Sequence, residues 1–280
     1  MTKTVPQVTF HDGNTIDQLG LGVWRVPNEQ VESVVASALK AGYRHIDTAA
    51  IYGNEEGVGR AVAASGLQRS DIFITTKVWN SEQGYEKTLA AFEDSLQKLG
   101  TDYVDLYLIH WLQPLRKQYV DTWKALIELQ KSGRARSIGV ANFTVEALEE
   151  LYEATGVRPV LNQVETHPYF PQHELREYER ERGILHQSWS PLGQGGELLQ
   201  DPVLLDIAKK HQASVAQVTI AWHLALGNIV IPKSVTESRI AENLASVELK
   251  LDEEDLMRIA GLDRGEAGRI SADPATADFA

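Results

Sequence analysis

The chain has 280 residues, no cysteine and a formal net charge of −12, with 43% hydrophobic and 24% charged residues. This globular composition suits one large domain or two small ones. The lack of cysteine excludes disulfides, a thiolate nucleophile and cysteine-based zinc sites, and the acidic balance argues against a nucleic-acid partner. Neither a signal peptide nor an apolar run of about 18 residues is visible, so we expect a cytoplasmic protein with no membrane partner.

The first predicted element is an N-terminal β-hairpin. Residues 5–10 and 15–19 flank the sequence HDGN. Asp-Gly is a strong signal for the turn of a hairpin.

After the hairpin, short apolar runs alternate with segments of helical periodicity. The runs cover residues 19–23, 44–47, 72–78, 104–110, 135–141, 160–164, 184–189 and 229–231. Helix ends are marked by a glycine before the next run, at Gly42, Gly66, Gly100, Gly133, Gly156 and Gly183. Eight runs alternating with helices predict parallel βαβ units.

Two α/β folds fit this pattern, a (β/α)8 TIM barrel and a doubly wound sheet. The doubly wound sheet usually carries a Gly-rich fingerprint after its first strand, and GLGVW at residues 20–24 lacks the third glycine. We therefore predict a single (β/α)8 barrel domain over residues 1–280. Segments 202–211 and 215–226 predict an extra helix before the last strand, and the polar tail 263–280 either folds over the barrel mouth or is a partly ordered terminus.

Function in such a barrel belongs to the C-terminal ends of its strands. Three neighbouring runs end near Asp47, Lys77 and His110, and Tyr52 follows the first of them. Taken singly, the aspartate is often a helix cap and the histidine a structural residue. A lysine in an apolar strand needs a carboxylate, for which Asp47 is the obvious candidate.

These four residues suit the reduction of a carbonyl group. A nearby ammonium lowers the pKa of a phenol, so we expect Lys77 to turn Tyr52 into a proton donor while His110 holds the carbonyl oxygen. The hydride must come from a cofactor, because no side chain supplies one.

Two segments are candidates for binding the phosphates of such a cofactor. Ser234 and Glu237 have capping-box spacing, which predicts a helix start beside Lys233 and Arg239, although an ordinary surface loop is an equal alternative. After the seventh run, Trp189 precedes the glycines at 193, 195 and 196. The tryptophan could stack on a nicotinamide, or it could be a packing residue before a flexible loop.

The block GYRHIDTAAIYGNE at residues 42–55 closely resembles the first signature of the aldo-keto reductases. The segments ITTKVW, LIHW, GVANF, NQVETHP and IPKS…R…EN follow in the order of that family. The resemblance implies a (β/α)8 barrel that binds NADPH without a Rossmann domain, with Asp47, Tyr52, Lys77 and His110 as the catalytic tetrad. Trp189 and the SPLGQG run are similar to bacterial 2,5-diketo-D-gluconate reductases.

The resemblance also implies the ligand-binding residues. Asn142 and Gln163 would bind the carboxamide, Trp189 would stack on the nicotinamide, and Arg239 would hold the 2′-phosphate. The full predicted cofactor set is Val23, Trp24, Asp47, Asn142, Gln163, Trp189, Ser190, Leu192, Gly193, Gln194, Lys233, Ser234, Val235, Thr236, Arg239 and Asn243. The predicted substrate contacts are Trp24, Tyr52, Trp79, His110 and Trp111.

The resulting prediction is an NADPH-dependent reductase of aldehydes, ketones, α-diketones or keto sugar acids, with Tyr52 as the proton donor. Two alternatives remain: a barrel lyase or aldolase with Lys77 as a Schiff-base nucleophile, and a non-catalytic NADP-binding regulatory protein. No closely paired histidines suggest a metal site, and no large apolar stripe is visible, so we expect a monomer.

Overall fold

Eight parallel strands lie side by side in the order in which they occur in the chain. The structure, a computed structural model, describes residues 4–279, and the other positions of the predicted domain, 1–3 and 280, lie outside the described residues. The strands are β3 (Leu21–Gly22), β4 (His45–Asp47), β5 (Phe73–Val78), β6 (Val104–Ile109), β7 (Ala135–Ala141), β8 (Leu161–Glu165), β9 (Leu185–Trp189) and β10 (Ile229–Val230). Parallel bridges from Leu19 to Val230 and from Gly22 to Lys233 close the circle. The predicted barrel is confirmed.

Helices follow the strands around the barrel. They are α1 (Asn28–Ala41), α2 (Glu55–Ala64), α3 (Tyr85–Leu99), α4 (Tyr119–Lys131), α5 (Val145–Thr155), α6 (His173–Glu181), α7 (Pro202–His211), α8 (Val215–Ala225), α9 (Glu237–Ala245) and α10 (Glu253–Ala260). Gly42 ends α1 with a φ of 120°, a conformation that a residue with a Cβ rarely adopts. Within residues 4–279, no helix is long and apolar enough to cross a membrane.

The N-terminal hairpin closes the end of the barrel opposite the site described below. Its strands, β1 (Gln7–Thr9) and β2 (Thr15–Asp17), pair antiparallel and are shorter than the predicted segments. Phe10 and Ile16 belong to one buried cluster with Leu106 and Leu108 of β6. The hairpin therefore contributes apolar side chains to the core of the barrel.

The connection between β9 and β10 contains the predicted extra helix. Helix α7 begins at Pro202 after Asp201, whose carboxylate accepts hydrogen bonds from the backbone N–H groups of Val203 and Leu204. Helix α8 begins with a capping box between Ser214 and Gln217.

The predicted helix start at Ser234 is wrong. Helix α9 begins at Glu237, with Thr236 as its N-cap residue and no side-chain cap. The Ser234 hydroxyl accepts a hydrogen bond from the Thr236 N–H (3.3 Å) instead. A hydroxyl bonded only two residues along the chain stabilises a turn, so the backbone enters the helix later than the capping-box spacing indicates.

Candidate active site

A buried ion pair joins the ends of strands β4 and β5. Lys77 Nζ donates hydrogen bonds to Asp47 Oδ1 (2.6 Å) and to the backbone oxygen of Thr48 (2.8 Å). The Lys77 side chain is 0% exposed and that of Asp47 is 2% exposed. Strands β4 and β5 are direct neighbours, so the strand order brings together the pair that the sequence predicts.

Tyr52 lies above this pair in a short 3-10 helix, Ala50–Tyr52, that follows β4. Its ring centroid is 5.2 Å from Lys77 Nζ and 5.6 Å from that of His110, with the two rings packed edge to face. Asn54 holds the end of this loop, because its side-chain nitrogen donates to the backbone oxygens of Val23 (3.0 Å) and Val26 (2.9 Å). The four predicted catalytic residues therefore lie together.

The predicted lowering of the Tyr52 pKa is wrong for this structure. Withdrawal of the phenol from water raises its pKa well above the usual value, and the carboxylate of Asp47 raises it further. Because the Lys77 ammonium is paired with that carboxylate, its charge does not outweigh the effect of burial on the pKa of Tyr52. Tyr52 is therefore a neutral phenol that keeps its proton at neutral pH.

His110 is neutral as well. Burial lowers its pKa well below the ordinary value, and the charge of Lys77 lowers it further. Its Nδ1 has no hydrogen-bond partner among residues 4–279, and its ring and that of Trp79 pack edge to face at a centroid distance of 5.1 Å. A neutral imidazole carries one N–H, so His110 can donate a hydrogen bond to a carbonyl oxygen.

Asn142 connects His110 to Trp189, and Gln163 is hydrogen-bonded to Asp47. Asn142 has a φ of 59°, and its Nδ2 donates to the His110 backbone oxygen at 2.9 Å. Its Oδ1 accepts a hydrogen bond from Trp189 Nε1 at 3.0 Å. Gln163 Nε2 donates to Asp47 Oδ2 at 2.7 Å.

These residues line one cavity of about 1110 Å³ at the C-terminal end of the barrel. The predicted site residues in its wall are Trp24, Asp47, Tyr52, Trp79, His110, Trp111, Asn142, Gln163, Trp189, Ser190, Leu192, Gln194, Lys233, Ser234, Val235, Thr236, Arg239 and Asn243. Lys77 lies beneath this wall. Gly193 and the fully buried Val23 also lie outside it, and the N–H of Val23 donates to the Asp47 backbone oxygen (3.1 Å).

Several wall residues were missed by the sequence prediction. Arg25 follows Trp24 and stacks over its ring at 4.1 Å. Ser271 and Phe279 reach the cavity from the C-terminal tail. The signal for Phe279 was available, because it is a lone aromatic residue in an otherwise polar tail.

The described part of the tail folds over the barrel mouth, which is the first of the two predicted alternatives. The Ile270 N–H donates to Glu165 Oε1 at 2.7 Å, and Asn80 Nδ2 donates to the Phe279 backbone oxygen at 2.8 Å. The Phe279 ring packs against Trp111 at a centroid distance of 4.9 Å and against Trp79 at 6.1 Å.

The cavity runs from the tetrad to two cations near the start of α9. Lys233 and Arg239 are exposed, and neither forms an ion pair within the described part of the chain. Where Gly22 lines the wall, a Cβ would lie 2.9 Å from the Ile231 backbone oxygen, so the wall is closely built there. A long cavity with unpaired cations at one end fits a dinucleotide phosphate.

Most of the chain matches a known protein family. A sequence model of the aldo/keto reductase family matches residues 17–264. The chain belongs to this family. The resemblance predicted from the motifs is confirmed.

Aldo/keto reductases of known sequence and structure match this chain over nearly its whole length. The glyoxal reductase of Bacillus subtilis is 51% identical over 275 residues, which cover 98% of each chain. The methylglyoxal reductase DkgA of Escherichia coli is 48% identical over 268 residues, which cover 95% of this chain and 96% of the relative. A Gox0644 mutant whose crystal structure was determined in complex with NADPH is 50% identical in sequence to this chain. The two structures superpose with a TM-score of 0.95, and the match covers 99% of this chain and 100% of the other.

As an aldo/keto reductase, the chain is an oxidoreductase that acts on carbonyl groups and uses NADP(H). The predicted enzyme class and cofactor are confirmed. The aldolase alternative is not supported, because Lys77 is held by Asp47 beneath the cavity wall instead of lying free in it.

Proposed function

We propose that this aldo/keto reductase reduces small 2-oxoaldehydes, such as methylglyoxal and glyoxal, with Tyr52 as the proton donor. The proposal rests on the position of Tyr52 and His110, which lie next to each other in the cavity wall, above the Lys77–Asp47 pair. The names of the two bacterial relatives support the substrate class.

Tyr52 and His110 act on the oxygen of the substrate carbonyl. When bound, NADPH supplies the hydride that forms the new C–H bond at the carbonyl carbon. His110, neutral at physiological pH, donates a hydrogen bond to the oxygen. As the C=O π electrons move to that oxygen, Tyr52 transfers its phenolic proton to it. The nearby Lys77 ammonium stabilises the tyrosinate that remains until water returns a proton.

Asn142, Gln163 and Trp189 form the part of the wall that would hold the nicotinamide end of the cofactor. The two amides present polar groups for the carboxamide, and the hydrogen bond from Trp189 Nε1 to Asn142 Oδ1 fixes the indole beside them. Lys233 and Arg239 would hold the 2′-phosphate at the other end of the cavity.

The substrate end of the cavity has aromatic walls. Trp24, Trp79 and Trp111 lie there with Phe279 of the tail. Because Phe279 packs against two of these tryptophans, the space above Tyr52 is narrowed. This favours a compact substrate over a bulky one.

The test of the mechanism is Tyr52→Phe. We expect kcat for methylglyoxal to fall by at least about 100-fold, because a general acid typically contributes a factor of 10² to 10⁴. The NADPH Kd, measured by quenching of tryptophan fluorescence, should stay within about twofold, since the change removes a single hydroxyl and keeps the ring.

The matched control is Tyr43→Phe. Tyr43 is also buried, but its hydroxyl donates to the Ile240 backbone oxygen (3.2 Å) and lies outside the cavity. This variant should keep its turnover. If Tyr52→Phe turned over as fast as Tyr43→Phe, the proton donor would have to be another group.

A further inference from the structure

A row of buried polar side chains crosses the barrel interior beneath the cavity. Gln187 of β9 pairs in register with Gln163 of β8, and His45 lies on β4. Gln187 and His45 are both 0% exposed, and neither lines the cavity. Because barrel interiors are normally filled by apolar side chains, polar groups at this depth need defined partners.

The amide of Gln163 is held in one orientation. Its Nε2 donates to Asp47 Oδ2 (2.7 Å) and to Gln187 Oε1 (3.0 Å), which uses both amide hydrogens. No group among residues 4–279 donates to Gln163 Oε1, and Gln163 lies in the cavity wall. The carbonyl oxygen is therefore the amide atom that remains for a ligand.

His45 fixes the orientation of Gln187 in turn. Burial lowers the pKa of His45 to about 4, so the ring is neutral. Its Nδ1 lies 3.3 Å from the Asp17 backbone oxygen, which can only accept, so Nδ1 carries the proton and Nε2 is an acceptor. Gln187 Nε2 lies 3.5 Å from that acceptor. A flipped Gln187 would place its NH₂ group against the NH₂ group of Gln163 and its oxygen against the lone pair of His45.

The position of the His45 ring depends on the backbone next to it. A Cβ on Gly20 would lie only 2.4 Å from His45 Nδ1, so there is space for the His45 ring because residue 20 is glycine. The ring of Phe73 packs against His45 edge to face, at a centroid distance of 5.5 Å. The row therefore has a fixed end on the side opposite the cavity.

We propose that Gln187, supported by His45, is a positioning residue that orients the Gln163 amide, so that its NH₂ group faces Asp47 and its carbonyl oxygen is presented to the nicotinamide carboxamide. The proposal rests on the cofactor placement of the proposed function. It adds that the orientation comes from the barrel interior and exists before any ligand binds.

The test is Gln187→Met, which keeps the length of the side chain and removes the strong acceptor. We expect the NADPH Kd, measured by tryptophan fluorescence, to rise about 5- to 10-fold, the effect of one lost hydrogen bond. The Kd for 2′,5′-ADP, which carries the phosphates of the adenosine end but no nicotinamide, should stay within about twofold. A general loss of order in the barrel would instead weaken the binding of both ligands. An unchanged NADPH Kd, or equal losses for both ligands, would overturn the proposal.

A measurement on the protein without cofactor separates this proposal from the proposed function. The Gln163 side-chain amide protons, followed by NMR, should exchange with solvent at least about tenfold faster in Gln187→Met than in the unmodified protein. Equal exchange rates would overturn the proposal, whatever the affinity for NADPH. Failure of the unmodified protein to bind NADPH would instead contradict the proposed function.

A second variant covers the case in which Gln187→Met does not fold. Gln187→Glu keeps an acceptor for Gln163 Nε2, and His45 can take up a proton to meet the new carboxylate. We expect its NADPH Kd to stay within about threefold of the unmodified protein. A loss of tenfold or more in a folded Gln187→Glu protein would overturn the proposal.

Discussion

Lys77 shows what a charged residue requires in the interior of a barrel. Burial lowers the pKa of its ammonium, and the carboxylate of Asp47 counteracts that effect. The second carboxylate oxygen is bonded to Gln163, so both oxygens of Asp47 have partners. The contacts of Lys77 and Asp47 therefore replace the hydration that these charged groups would have in water.

We predict that Lys77→Met lowers the free energy of unfolding by about 3–5 kcal/mol, because it leaves the buried Asp47 carboxylate without its counter-charge. Urea unfolding measures this effect. The double variant Lys77→Met/Asp47→Asn removes the unpaired charge and should recover much of the loss. If the double variant were less stable than Lys77→Met, the buried charge would not be the cause.

The pairing of Lys77 with Asp47 could be predicted from the sequence, whereas the pKa of Tyr52 could not. The pairing follows from neighbouring strands that end at the same rim. The pKa depends on how far the phenol is withdrawn from water and on which charge is already paired. Neither quantity can be deduced from the order of residues along the chain.

At the scale of whole elements, the strands were more predictable than the connections between them. Strand β6 is buried along its whole length, and all of its residues except Asp105 are apolar, a pattern that is visible in the sequence. The start of α9 was not predictable, because it depends on which N–H group the Ser234 hydroxyl meets. The course of the tail depends on Trp79 and Trp111, which lie far away in the chain.

The C-terminal tail reaches the aromatic end of the cavity through Phe279, whose ring packs against Trp79 and Trp111. We predict that Phe279→Ala makes the enzyme less selective for small aldehydes. The ratio of kcat/KM for methylglyoxal to kcat/KM for a bulky aromatic aldehyde should fall by about tenfold, because the variant removes from the wall an apolar side chain whose burial contributes about 1.5–3 kcal/mol. A panel of aldehydes of increasing size measures this ratio.

Asp278→Asn provides the control for the tail. It breaks an exposed ion pair with Arg116, whose atoms are 3.2 Å apart, and such pairs contribute about 0–1 kcal/mol. We expect the ratio of the two kcat/KM values to stay within about threefold in this variant. A Phe279→Ala protein with an unchanged ratio would show that the tail does not set substrate size.

On the scale of the whole molecule, an acidic protein has to bind an anionic cofactor. The net charge of −12 repels the phosphates of a dinucleotide at long range. Lys233 and Arg239, exposed at one end of the cavity, provide a local region of opposite sign. Because these cations are exposed, their attraction for a phosphate is screened by salt, with a Debye length of about 8 Å at physiological ionic strength.

We therefore predict that the Kd for NADPH rises more steeply than that for NADH when salt increases from about 50 to about 500 mM, because only NADPH carries the 2′-phosphate. Arg239→Ala should reduce the salt dependence of the NADPH Kd toward that of NADH. Arg180→Ala, an equal change of charge at an exposed residue of α6 outside the cavity wall, should leave it unchanged. Fluorescence titrations at four salt concentrations distinguish these cases. If Arg180→Ala and Arg239→Ala changed the salt dependence of the NADPH Kd equally, the difference between NADPH and NADH would come from the net charge of the molecule and not from a local phosphate site.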